Sequence, residues 1–91
     1  MADATISIAS RIEWCRQQKM LACAQVELDE WQAEEDGLQD AFLNRNHSNH
    51  YQHCSPGVFK RYVTGFEDGH ALISLAAMGQ HFTLSVHQTP A

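Results

Sequence analysis

Residues 5–36 carry no Gly or Pro and are rich in Ala, Gln, Glu and Leu. That composition and its apolar spacing predict one long helix. Ser10 followed by Glu13 has capping-box spacing, although Thr5 or Ser7 would start the helix earlier. Gly37 is its expected stop. Leu38 to about Asn46 reads as a short second helix or as a continuation through Gly37. At 100° per residue the long helix shows two apolar stripes. One holds Trp14, Met20, Leu21, Ala24, Leu28 and Trp31; the other holds Ile8, Ile12, Cys15, Ala22, Val26 and Ala33. A helix packed on one face needs only one stripe, so two imply two packing partners.

The pattern changes beyond a polar, His-rich linker at 47–57. Residues 58–87 alternate well enough to predict three strands, Val58–Phe66, His70–Ala76 and His81–His87. Asp68-Gly69 is a two-residue hairpin signal, and Met78-Gly79 a weaker one. The register set by these turns puts Tyr62, Leu75 and Phe82, then Thr64, Ile73 and Leu84, then Phe66, Ala71 and Val86 in rows on one sheet face. The expected fold is therefore α+β. A helical half over about 5–46, its long N-terminal helix with or without a short second one, packs on a three-stranded antiparallel β-meander at 58–87 in a single domain spanning 1–91.

Charge sharpens this picture. The chain has a net charge of -5. Glu27, Asp29, Glu30, Glu34, Glu35, Asp36 and Asp40 follow one another without an intervening Lys or Arg. In one continuous helix they would occupy the C-terminal half, where the backbone dipole favours cations. Arg11, Arg16 and Lys19 would sit equally badly in the N-terminal half. Glu27, Glu30 and Glu34 share a face and lack Lys or Arg at i+4 within the run. Such a stripe suits docking on a basic protein surface. Leu28 and Trp31 would supply apolar anchors, with Asp29 and Asp36 flanking. The net negative charge opposes direct binding to nucleic acid. Basic surfaces are common on proteins that handle nucleic acid, so an inhibitor or regulator of such a protein is the expected role.

Histidine offers the main alternative. His47, His50, His53 and Cys54 are zinc-type ligands crowded into one linker, without the two separated pairs usual for zinc. The sheet register would also bring Glu67, His70 and His87 side by side. A metal-binding or metal-sensing module is thus a second reading, and a small homodimeric structural subunit a third. No phosphate-binding loop or nucleophile motif is present, so neither an enzyme nor a cofactor is expected. Cys15, Cys23 and Cys54 read as free thiols. With no basic n-region and no apolar run of roughly 20 residues, the expected location is cytoplasmic, without a membrane span.

Overall fold

The computed structural model describes the backbone over residues 7–88 and side chains over residues 7–77. The described residues form an all-α fold. Helix α1 spans Ile8–Leu21, α2 Gln25–Phe42 and α3 Pro56–Gln88; a single 3-10 turn, Ser48–His50, lies between α2 and α3. The α+β expectation is overturned, because no strand occurs among the described residues. All three segments expected as strands belong to α3, and both expected hairpin turns lie inside it. The expected start at Thr5 lies outside the described residues.

Ser7 caps α1, its Oγ accepting the Ser10 backbone N–H at 3.1 Å. The long helix expected over 5–36 breaks at Ala22–Ala24, where the chain turns back on itself. Glu27 fastens the new start by accepting the Cys23 backbone N–H at 3.0 Å. The break eases the dipole conflict at two positions. Glu27 now lies in the first turn of α2 and Lys19 in the last turn of α1, the end each charge prefers. It also brings Arg11 to Glu34, residues that one straight helix would hold roughly 35 Å apart.

Gly37 does not stop α2. The helix ends instead at Asn44, which takes a left-handed conformation (φ 57°). The Asn44 N–H reaches the Ala41 carbonyl at 3.2 Å and the Arg45 N–H the Asp40 carbonyl at 2.7 Å. This paired closure is a Schellman motif, with Asn in the position usually taken by Gly. The chain then runs back over residues 43–55, and Pro56 opens α3 in the first-turn position that suits a residue without an N–H.

Glycines set the packing of α2 on α3. A Cβ on Gly65 would lie 2.1 Å from the Glu34 carbonyl oxygen, and one on Gly37 would lie 2.2 Å from that of Tyr62. Gly69 lies against Ala41 and Leu38 in the same way. Ala33, Gly37 and Ala41 thus face Gly65 and Gly69, and the two backbones meet closely. The order of these contacts shows that α2 and α3 run parallel, with α1 antiparallel to both. Cys15, Ala33, Leu38, Ala41, Val58 and Tyr62 form the buried apolar core. No described helix is long and apolar enough to cross a membrane.

Candidate functional site

The acidic run of α2 divides into an inward and an outward half. Glu34 is 4% exposed. Arg11 Nη2 donates to its Oε2 at 2.8 Å, and Arg61 Nη1 donates to its Oε1 at 2.7 Å. Glu35, equally buried, meets Arg16 Nε at 3.0 Å and Lys19 Nζ at 2.8 Å. Burial of a carboxylate is costly, and it is sustained here because each one is met by two cations. Cys15 Sγ lies 3.7 Å from Glu34 Oε2. Burial, reinforced by the Glu34 charge, pushes this thiol up to about 12, so it stays protonated.

Asp40 is the third buried acid and ties the 43–55 crossover to the helices. Tyr62 Oη donates to its Oδ2 at 2.6 Å, and the His47 backbone N–H donates to Tyr62 Oη at 2.8 Å. His47 Nδ1 lies 3.0 Å from Asp40 Oδ2, and Arg45 Nη2 lies 3.3 Å from Oδ1. Burial alone would raise the Asp40 pKa. The hydrogen bonds from Tyr62 and His47, with the charge of His47, outweigh burial and hold it below its ordinary value. Tyr62 is pushed up to about 12 by burial and by its bond to Asp40. Tyr51, which donates to Asp36, is also raised, burial being the larger cause. Beside these groups lies a cleft of about 460 Å³ with Asp36, Asp40, Arg45, His47, His50 and Tyr51 on its walls. A carboxylate-oriented imidazole can serve as a general base. Here the bonds of Asp40 also run to a backbone amide and to a buried tyrosine, which tie the crossover to α2 and α3.

These pairs have a consequence for the surface. Arg11, Arg16, Lys19, Arg45 and Arg61 are all engaged, five of the six Lys and Arg residues in the chain. Their acidic partners are Glu30, Glu34, Glu35, Asp40 and Asp68. Five cations cancel five anions. The net charge of -5 therefore rests on Asp3, Glu13, Glu27, Asp29, Asp36 and Glu67 against Lys60 alone.

The expected docking residues are accordingly not one surface. Glu34 points inward. Trp31 lies under Arg61, whose guanidinium carbon is 4.1 Å from the ring centroid, and Glu30 is 3.8 Å from the same side chain. Asp36 is held by Tyr51 and by Gln32, whose amide donates at 2.9 Å. Glu27, Leu28 and Asp29 are exposed in the first turns of α2, next to the α1–α2 break; Glu27 turns back to Cys23, while Asp29 lines a cleft with Tyr51, Cys54 and Val58. Beside them are Val26, Met20 and Leu21, the last two 84% and 72% exposed. The sequence stripes had separated Val26 from Met20 and Leu21; the break at Ala22–Ala24 brings them to one tip.

The metal candidates are dispersed. His47 and His50 stack with ring centroids 5.0 Å apart, while His53 and Cys54 are exposed farther along the crossover. Glu67 and His70 lie on α3, and His70 meets the Phe66 ring edge-on. The side chain of His87 lies outside the described ones. Its backbone position is roughly 25 Å along the helix from His70, and the sheet register that grouped these three is absent. Among the described residues no three His, Cys, Asp or Glu side chains come together as a metal cage. The chain matches no protein-family model, no curated protein and no solved structure.

Proposed function

We propose that this protein is a non-enzymatic acidic interaction module of the cytoplasm, an inhibitor or regulator that docks on a basic protein surface through the tip of its α1–α2 hairpin. The observation that carries this reading is the internal cancellation of charge. With five of its six basic side chains paired to acids, the charge left over is mainly negative, and the hairpin tip has Glu27 and Asp29 in the first turns of α2 with exposed Val26 and Leu28, and exposed Met20 and Leu21 at the end of α1. An apolar patch with acidic neighbours suits a partner whose contact surface is basic at its rim. The tip charges steer the encounter, and the apolar side chains hold the complex. The partner class favoured by this chemistry is a protein that handles nucleic acid, because such proteins most often carry extended basic surfaces.

The test is affinity capture from lysate of the source organism, with the wild-type protein beside the double variant Glu27→Lys, Asp29→Lys and the control Glu67→Lys. A basic partner retained by wild type and by the control, lost by the tip variant and released by salt, is the expected result. Equal retention by all three proteins overturns the docking surface.

A further inference from the structure

Helix α3, at 33 residues, is far longer than α2, at 18. Its face against α2 ends at Gly69, which meets Ala41 and Ile8. From His70 to Gln88 the helix continues for roughly 28 Å. Over Ala71–Ala77 only Leu72 is partly buried, and Leu75 is 58% exposed. Phe42 and Leu43 lie exposed at the C-terminal end of α2, near the root of this extension.

Two features distinguish the segment. No Asp, Glu, Lys or Arg occurs after Asp68. A solitary helix of this length is marginal in water, and Gly79, Thr83 and Val86 are poor helix formers. In addition, Leu72, Leu75, Gly79, Phe82 and Val86 follow the alternating three-and-four spacing of a coiled-coil seam. The helix has the form of one half of a two-helix contact.

We infer that α3 beyond Gly69 pairs antiparallel with the same segment of a second copy of this chain. Charge selects both occupant and direction. Every formal side-chain charge lies at or before Asp68, so the net-negative bodies of two copies repel each other while this segment carries no charge of its own. A parallel pair would set the two acidic bodies side by side. An antiparallel pair centred on Gly79, with Leu72 opposite Val86, places them at opposite ends. Their separation is then about the length of the segment, several times the Debye length of about 8 Å at physiological salt. Gly at the centre allows close approach of the backbones. This inference is independent of docking at the hairpin tip.

Sedimentation equilibrium of the full chain over a range of concentrations tests it. Wild type is expected to move from monomer to dimer as concentration rises. Leu75→Glu is expected to remain monomeric where wild type is dimeric, with unchanged thermal unfolding of α1 and α2 because Leu75 is exposed. Glu27→Lys, Asp29→Lys is expected to dimerise as wild type does. Direction is read by oxidising a mixture of Leu72→Cys and Val86→Cys variants in a background with Cys23 and Cys54 changed to Ser, so that each has one introduced cysteine beside the buried Cys15. Crosslinks between the two variants support the antiparallel pair, whereas predominant Leu72→Cys self-crosslinks overturn it. A wild type that is monomeric throughout, or a dimer indifferent to Leu75→Glu, overturns the pairing itself.

Discussion

Replacing Gly65 by Ala tests the close approach of α2 and α3. In an exposed helix, Gly→Ala stabilises by up to about 1 kcal/mol, because Gly loses more backbone freedom on folding. At position 65 the added Cβ would fall 2.1 Å from the Glu34 carbonyl oxygen, and the obstacle is backbone, which no rotamer change can move. Ordinary contact needs about 3.4 Å or more, so the helices must part by roughly 1 Å. Overpacking of this kind costs about 1–3 kcal/mol. Parting the helices also loosens Val58 and Tyr62 from Ala33 and draws Arg61 from Glu34, which places the cost at the upper end. After the helical gain, a net loss of roughly 1–2 kcal/mol remains. In a domain of this size that lowers Tm by about 4–8 °C per kcal/mol. Gly57 provides the control. There a Cβ would meet only the end of the Glu30 side chain, at 2.7 Å, and that side chain can move. Gly57→Ala is expected to be neutral or stabilising by up to about 1 kcal/mol. Thermal and urea unfolding followed by circular dichroism measures all three proteins. If Gly65→Ala is as stable as wild type, the backbones do not meet as described.

Three further outcomes concern the ionisable side chains. Glu34→Ala removes the acid shared by Arg11 and Arg61, which keep Asp68 and Glu30 as partners, and is expected to cost about 1.5–3 kcal/mol, whereas Glu27→Ala costs under about 1.5 kcal/mol through its lost cap; urea melts compare them. Asp40 has a lowered folded pKa, so its contribution is present above the unfolded value of about 3.9 and is lost as pH falls through the folded value. Wild type is therefore expected to weaken on acidification from about pH 4 downward, and Asp40→Asn to be less stable at pH 7 with a flatter acid limb, read from urea melts across pH. Cys15 is buried with its pKa raised to about 12, while Cys23 and Cys54 are exposed. Alkylation of native protein at pH 8, followed by mass spectrometry, is expected to label Cys23 and Cys54 quickly and Cys15 only through unfolding.

Helix in the N-terminal half, and Ser7 as one of its starting residues, were legible in the sequence. The break at Ala22–Ala24 was not, because no Gly or Pro marks it. It brings Arg11, Arg16 and Lys19 to acids more than ten residues away, partners that local spacing does not display. The segment after residue 57 was misread for a different reason. Its apolar residues are dense enough to satisfy both periods. Val58, Tyr62, Gly65 and Gly69 fit a helix as well as the alternation fits a strand, and Asp68-Gly69 tilted the choice towards a hairpin. The overlooked signal was the pairing of Gly65 and Gly69, four apart, with Ala33, Gly37 and Ala41, also four apart. Small residues at that spacing on two helices mark a close helical contact. At the candidate site, Glu27, Leu28 and Asp29 were legible as exposed positions. The inward turn of Glu34 and the capture of Trp31 by Arg61 were not, since both depend on where α3 lies.

Photo-crosslinking tests most directly whether the hairpin tip is the docking surface. A photoreactive amino acid placed at Leu28, and in a separate protein at Glu67, is activated in lysate of the source organism at low salt. The account predicts a single prominent adduct from position 28 with a basic protein, abolished by Glu27→Lys, Asp29→Lys, and none from position 67. Adducts from position 67 alone, or an adduct from position 28 that survives reversal of both charges, would contradict it.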